Sequence, residues 1–334
     1  MRIAVCSAQS YDRQYLLTAN QDIGHDIVFF DSHLCEETRH MVEGFPAVCV
    51  FVNDTLNATV LKSLAAQGTN LIALRGAGFN HVDISSAIDL GLHVVRVPAY
   101  SPHSVAEHSV ALILSLNRHL HHAYNRVRSG NFSLQGLLGF EIRGKTVGII
   151  GTGRIGAAVA KILHGFGCHL IAYDPLQNDE CISLGVEYVP LKKLYSCSDI
   201  ITLHCPLNKQ SWHMIDTVAI ANMKQGVMLI NTSRGAVIDT LAVINGLKSS
   251  KISYLGLDVY EQEGDLFFQD LSNQVIQDDV FERLLTFPNV LVTGHQGFFT
   301  DEALSSIAQT TLQNISLFES DGVCQNEVTM ELLQ

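Results

Sequence analysis

Lys145-Thr146-Val147-Gly148-Ile149-Ile150-Gly151-Thr152-Gly153-Arg154-Ile155-Gly156 is the stretch on which the fold turns. Residues 147–150 are a short apolar run that reads as a buried strand, and the run ends in G-x-G-x-x-G at Gly151, Gly153 and Gly156. Ile155, Val159, Ile162, Leu163 and Phe166 then recur at helical spacing, and a second apolar run, residues 169–173, closes on Asp174. Strand, tight turn, helix, strand and acid follow one another within roughly thirty residues, the span of a βαβ unit that holds a dinucleotide.

Each residue type has a physical job in that unit. Gly151 permits the tight turn, Gly153 lets a pyrophosphate approach the backbone, and Gly156 lets the helix pack close to the strand. The helix then points free N–H groups and the positive end of its dipole at the phosphates. Asp174 stands eighteen residues after Gly156, where a carboxylate accepts hydrogen bonds from both ribose hydroxyls. That charge repels a 2′-phosphate, and Pro175 rather than an arginine follows it, so NAD is expected over NADP.

A chain of 334 residues is long enough for two domains with separate cores. With 47% hydrophobic and 16% charged residues it reads as globular rather than disordered. The net charge of −12 argues against a nucleic-acid partner or an anionic membrane surface, both of which reward basic patches. The chain opens directly on a strand-like run at residues 2–6, with no signal-peptide pattern, and its apolar runs are too short to span a bilayer. Eight scattered cysteines, none in C-x-x-C, read as small hydrophobes in a reducing compartment, and a cytoplasmic location is expected.

On the N-terminal side, residues 2–6, 27–30, 47–52, 71–74 and 94–97 read as parallel strands covered on both faces. Helices are expected at 56–66 and 83–90, the latter capped by Asp83. The strand at 71–74 runs into Arg75-Gly76-Ala77-Gly78-Phe79, a second glycine-rich loop, with His81 where a third glycine would stand. It is either a nest of N–H groups for a small anion such as a carboxylate or a tight turn without a ligand. Its place at the carboxyl end of a parallel strand favours the ligand. Pro98 ends this domain's last strand, and Ser101-Pro102 starts a long helix over 105–119. His119, His121 and His122 read as a solvated helix end, and no metal site is expected. Residues 131–143 read as a loop.

Beyond Asp174, strands at 200–203, 227–231, 254–257 and 290–292 end respectively in His204-Cys205-Pro206-Leu207, Thr232-Ser233-Arg234-Gly235, Asp258, and Thr293-Gly294-His295-Gln296. In a doubly wound sheet all these ends open on one edge, beside the pyrophosphate turn. The last helix, 301–318 with Asp301 as its expected N-cap, returns to the first domain. The expected fold is therefore α/β with two doubly wound domains. A Rossmann NAD-binding domain, residues 100–297, is inserted in a discontinuous, flavodoxin-like substrate domain, residues 1–99 and 298–334. Arg234 can grip a carboxylate or polarise a carbonyl, His295 can exchange a proton near neutral pH, and Glu263 can orient His295 and favour its charged form.

These residues carry a resemblance. Gly76-Ala77-Gly78-Phe79, Val105-Ala106-Glu107-His108, the Gly151–Gly156 turn with Asp174, His204-Cys205-Pro206-Leu207, Asn231-Thr232-Ser233-Arg234-Gly235, Gly256-Leu257-Asp258-Val259-Tyr260 and Gly294-His295 resemble the D-isomer-specific 2-hydroxyacid dehydrogenase family along nearly the whole chain. Within it the chain is most similar to the fermentative D-lactate dehydrogenases, through Tyr100 after Pro98-Ala99, the long insert from Gly264 to Asp279, and Gly294-His295-Gln296-Gly297-Phe298. Many relatives have a shorter, proline-rich stretch after the glutamate and Pro-His-Ile-Ala around the histidine.

The resemblance implies reversible reduction of pyruvate to D-lactate with NADH. The catalytic groups would be Arg234, Glu263 and His295; the family register selects Glu263, twenty-nine residues after Arg234, over Glu261. NAD would contact Val105, Gly151, Gly153, Arg154, Ile155, Gly156, Asp174, His204, Cys205, Pro206, Thr232, Ser233, Arg234, Asp258 and His295. The substrate would contact Ala77, Gly78, Tyr100, Arg234, His295 and Phe298. A homodimer or homotetramer built on the cofactor domains is implied too. Two alternatives remain: a sister reductase of hydroxypyruvate, glyoxylate or a bulkier 2-oxo acid, and an NADH-sensing, corepressor-like binding protein, which the insert disfavours.

Overall fold

The structure, a computed structural model, describes residues 1–333. The chain divides into two compact units, one of Met1–Ser101 with the segment from Phe299 onward, the other Pro102–Phe298. The divisions thus fall at 101/102 and 298/299, against 99/100 and 297/298 expected from the sequence, which leaves Tyr100 in the first unit and Phe298 in the second.

The first unit is built on five parallel strands: β1 (Arg2–Val5), β2 (Asp26–Phe29), β3 (Ala47–Val50), β4 (Leu71–Leu74) and β5 (His93–Val95). They lie in the order β2-β1-β3-β4-β5, the flavodoxin-like arrangement. Alternate side chains of each strand enter different cores, as the period of two requires. Ala4, Val48, Ile72 and Val94 meet Val60, Leu61 and Leu64 of the helix Ala58–Ala66 on one face. Ile3, Cys49, Ala73 and Val95 meet Leu16, Leu312 and Ile315 on the other. Leu312 and Ile315 belong to the helix Asp301–Asp321, so the C-terminal helix does complete the first sheet. Its N-cap is Thr300, whose hydroxyl accepts from Ala303 N, and not Asp301 as expected; Asp301 sits one residue on, in the first turn, where its charge meets the dipole.

The second unit carries seven parallel strands: β6 (Thr146–Ile150), β7 (His169–Tyr173), β8 (Glu187–Tyr188), β9 (Ile200–Leu203), β10 (Val227–Asn231), β11 (Ile252–Leu257) and β12 (Val290–Val292). Their order, β12-β11-β10-β9-β6-β7-β8, is the Rossmann order extended by one strand. The two-residue β8 is too short to show a period in the sequence. The helix expected over 105–119 spans Pro102–Asn117. His119 then takes the left-handed conformation (φ 50°) and a separate helix, Leu120–Arg128, follows with no buried residue. Because all seven strands are parallel, the segments after β6, β7, β9, β10, β11 and β12 open on a single edge.

Candidate active site

The turn after β6 has the geometry of a pyrophosphate cradle. Gly151 has φ +92°, and a Cβ there would stand 2.6 Å from Cys205 N. A Cβ on Gly156 would fall 1.9 Å from the Gly151 carbonyl oxygen, so the helix Arg154–Gly165 approaches the strand only because residue 156 lacks a side chain. A Cβ on Gly153 would meet nothing within 4 Å beyond its own helix and chain neighbours, and the helix that starts there has no side-chain cap. Its first N–H groups, including those near Arg154 and Ile155, face open space suited to an anion. At the end of β7, Asp174 accepts from Thr152 N (2.6 Å) through one oxygen and from Leu176 N (2.9 Å) through the other. The first oxygen, Oδ2, also accepts from Thr152 Oγ1 (3.2 Å), so Oδ1 is the oxygen that keeps lone-pair capacity for a ribose hydroxyl. These residues fit a dinucleotide.

The remaining residues expected at the cofactor line the same edge. After β9, His204 Nε2 pairs with Thr202 Oγ1 at 2.8 Å, and burial pushes this imidazole down to about 3, so its ring is neutral. Burial likewise pushes the Cys205 thiol up to about 11; Pro206 beside it is exposed. After β10, the Thr232 hydroxyl bonds Ser109 Oγ at 2.8 Å, and Ser233 N and Oγ both donate to Asn231 Oδ1. Val105, on the helix Pro102–Asn117, is buried.

Arg234 follows in extended conformation. Asn231 Nδ2 donates to its carbonyl (2.9 Å), and its own Nη1 donates to Ser233 O (2.6 Å). Among the described residues no carboxylate pairs with this guanidinium, which leaves the fork for an incoming one.

After β12 the backbone delivers His295 beside Glu263. His295 Nδ1 and Glu263 Oε1 are 2.7 Å apart, and Glu263 Oε2 accepts from Tyr260 N at 2.9 Å. The carboxylate is thus fixed at both oxygens and, with Nδ1 engaged, Nε2 is the nitrogen that can meet a substrate. Glu261, the rival acid in sequence, instead pairs with His213 Nε2 at 2.7 Å. His295 has φ 53°, a left-handed backbone that few non-glycine residues adopt. Hydrogen bonds from its N–H to Asp258 O (2.7 Å) and Thr293 O (3.0 Å) hold it there. Two aromatic rings flank the imidazole, Phe268 at 5.8 Å and Phe298 edge-on at 6.4 Å between centroids.

Asp258, at the end of β11, is 2% exposed and directs its bonds to protein. It accepts from Thr293 Oγ1 (2.5 Å), Gln296 N (2.9 Å) and Gly297 N (2.8 Å), and its Oδ1 lies 3.1 Å from His108 Nε2. Burial alone would raise its carboxyl, but the bonds from His108 and Thr293 and the charges of His108 and His295 carry it below the usual carboxylate range. This residue builds the loop that presents His295. His108 and Thr293, which anchor Asp258, and Phe268, which covers His295, had no role in the sequence reading. The signal for His108 was its place in the Val105–His108 motif, one turn of helix after the buried Val105.

In the first unit, the loop after β4 is anchored by Arg75. This buried guanidinium donates to Cys6 O from Nη1 and Nη2 (3.1 Å each) and faces Asp12 at 3.3 Å. Val97 N donates to Gly76 O (3.0 Å) and Arg96 Nη1 to Ala77 O (2.9 Å). With these carbonyls turned inward, the N–H groups of Ala77 and Gly78 have no protein acceptor among the described residues. These two N–H groups are left available to an anion, and Tyr100 lies in the same unit. Chemically, the second unit offers an imidazole backed by a carboxylate, a guanidinium and a dinucleotide turn along one sheet edge.

Residues 110–297 match the family D-isomer specific 2-hydroxyacid dehydrogenase, NAD binding domain. Over 328 residues, 98% of this chain and 100% of the relative, the sequence is 54% identical to a D-lactate dehydrogenase of Escherichia coli strain K12. A solved structure described as the pyruvate reductase of Chlamydomonas reinhardtii superposes with a TM-score of 0.91 at 46% identity, covering 98% of both chains. A D-lactate dehydrogenase from Aquifex aeolicus, solved with NAD and lactic acid, superposes with a TM-score of 0.87 at 33% identity, again over 98% of both chains.

Proposed function

The chain belongs to the D-isomer-specific 2-hydroxyacid dehydrogenase family, and from that membership we propose that it is an NAD-dependent D-lactate dehydrogenase which reduces pyruvate to D-lactate, reversibly, with NADH. The observation that carries this reading is the His295–Glu263 pair at 2.7 Å, at the end of β12 in the sheet whose β6 turn accepts a dinucleotide. Bound NADH supplies the hydride that reduces the keto carbon. Protonated His295 gives its Nε2 proton to the carbonyl oxygen, and Glu263 stabilises the imidazolium before transfer. Arg234 binds the substrate carboxylate and polarises the carbonyl, while the Ala77 and Gly78 N–H groups serve as carboxylate donors from the first unit. Tyr100 and Phe298 shape the side that takes the methyl group. Asp174 holds the adenosine ribose, and Val105, His204, Cys205, Pro206, Thr232 and Ser233 line the cofactor's path.

The test is NADH oxidation with pyruvate, followed by chiral analysis of the product. D-lactate formed faster than the products of hydroxypyruvate, glyoxylate and bulkier 2-oxo acids is the expected result. Preference for one of those acids, or NADH binding without turnover, overturns the reading. The enzyme is further assigned to the cytoplasm, a reading supported by free thiols at all eight cysteines and by the lack, among the described residues, of a helix long and apolar enough to cross a membrane. A homo-oligomer built on the cofactor units is supported by Leu120, Tyr124, Val127, Phe132, Leu134 and Leu138, all exposed within one stretch.

A further inference from the structure

A second cluster of ligating side chains lies in the first unit. His93 opens β5, the edge strand of the five-stranded sheet. After the helix Asp301–Asp321, the chain turns at Gly322 (φ +66°) and runs back along that edge. Glu327 bridges Val95 in antiparallel sense, Val328 N donates to Val94 O (2.8 Å), and Arg96 N donates to Asn326 O (3.0 Å). Asn326 Nδ2 donates to Asn314 Oδ1 (2.8 Å), which ties the returning segment to the helix as well. The path carries Cys324 and Glu327 to His93. A ring nitrogen of His93, Cys324 Sγ and a Glu327 carboxylate oxygen all lie within 4.8 Å of one another, and each residue is half-buried.

We propose that His93, Cys324 and Glu327 form a binding site for a divalent transition metal of the zinc class, which staples the returning C-terminal segment to β5. The donor set selects the metal. Imidazole, thiolate and carboxylate suit zinc, whereas magnesium and calcium prefer all-oxygen shells. Bonds of about 2.0–2.3 Å in a tetrahedron separate ligand atoms by roughly 3.3–3.8 Å. The His93 Nδ1–Glu327 Oε1 contact of 2.7 Å would have to open slightly and the Cys324 sulfur to close, movements within reach of rotatable side chains. Three protein ligands leave a fourth position for water, and the half-exposed site admits it.

Electrostatics point the same way. Among the described residues no lysine or arginine pairs with Glu327, whose partner is His93. The Cys324 thiol is the ligand that must give up a proton to bind. Metal binding replaces that S–H bond by an S–metal bond and releases one proton to solvent, with no change of oxidation state. The Phe318 ring, 5.3 Å from the His93 ring, restricts the imidazole on the helix side. The cluster sits on the β5 edge, where Glu327 pairs with Val95 and Asn326 with Arg96, and it contains none of the residues assigned to the Gly76–Gly78 loop or to the second unit's sheet edge. The metal's role is therefore to fix the segment rather than to do chemistry.

The experiment titrates the chelator-stripped full chain with Co²⁺ as an optical probe, then with Zn²⁺ as competitor. The expected result is one equivalent per chain, with a thiolate-to-cobalt charge-transfer band and tetrahedral d–d bands that Zn²⁺ abolishes. Cys324→Ser should remove the charge-transfer band, and His93→Ala and Glu327→Gln should each weaken binding at least tenfold. Cys35→Ser, a half-buried thiol elsewhere, should leave all of this unchanged. If Cys324→Ser fails to fold, His93→Ala and Glu327→Gln decide. Absence of the band at one equivalent, its survival in Cys324→Ser, or unchanged affinity in both His93→Ala and Glu327→Gln overturns the site.

Discussion

At His295 three constraints meet in one residue: a left-handed backbone, an Nδ1 engaged by Glu263, and two aromatic rings beside the imidazole. The first two fix which nitrogen faces the substrate, and the third limits water around it. General acid–base groups contribute about 10²- to 10⁴-fold, so His295→Asn should lower kcat for pyruvate reduction by that range. Glu263→Gln should cost less, because glutamine keeps an acceptor for Nδ1–H and loses only the charge. Steady-state kinetics in which Glu263→Gln is the more damaging change would contradict this division of labour. Arg234 is different in kind. A hydrogen bond to a charged group contributes about 1.5–3 kcal/mol, and a lysine cannot reproduce the planar fork. Arg234→Lys should therefore lower kcat/KM for pyruvate by about ten- to a hundredfold while leaving the Kd for NADH within a few fold, as fluorescence titration would show.

The loop after β12 is set by Asp258 at the end of the neighbouring β11, through Thr293, Gln296 and Gly297. Asp258→Asn replaces an acceptor of several hydrogen bonds by a group that must also donate. It should lower kcat by misplacing His295, leave NADH affinity nearly intact, and destabilise the second unit by about 1–3 kcal/mol per unsatisfied buried group. Its pH signature follows from the sign of the shift. The Asp258 carboxyl lies below its unfolded value of about 3.9, so its contribution is complete above that pH and is lost as pH falls through the folded value. Thermal melts at pH 7 and below 4 should therefore converge for wild type and Asp258→Asn at the acid end only. This network marks the limit of what local sequence conveys. The βαβ unit was legible because its glycines, helix and acid are close in sequence and each has a steric reason. The strand ends were legible because a parallel sheet must bring them to one edge. The partnership of Asp258 with His108 was not, because it joins a strand end to a helix face 150 residues earlier. His93, Cys324 and Glu327 were illegible for the same reason, meeting only when the C-terminal segment returns to β5. Thr300 displaced Asp301 as N-cap because both residues satisfy the capping chemistry and only the backbone turn decides between them.

Across the whole molecule, buried ionisable groups differ in their acid response. In the first unit, burial raises the Asp54 carboxyl against bonds from Phe51 N, Leu34 N and Ser7 Oγ, so its contribution is complete below about pH 3.9 and is lost as pH rises through the folded value. In the second, His204 is buried neutral with its imidazole at about 3, against about 6.5 unfolded. Above that unfolded value neither state holds the proton and stability is complete. As pH falls toward 3, the unfolded chain takes up a proton that the folded chain refuses, and stability drops by up to about 1.4 kcal/mol per pH unit. Asp258 adds its own loss only below about 3.9. Acid therefore weakens the cofactor unit through His204, while the first unit takes a loss of the same sign through His25, whose imidazole burial also lowers. Calorimetry between pH 7 and 4 should show the NADH-stabilised transition moving to lower temperature with each step. His204→Asn, which keeps a polar partner for Thr202 but cannot titrate, should flatten that slope while leaving the melt at pH 7.5 little changed. A slope equally steep in the variant would mean that the acid sensitivity lies in another group, and the buried imidazole would lose its place as the unit's first point of failure.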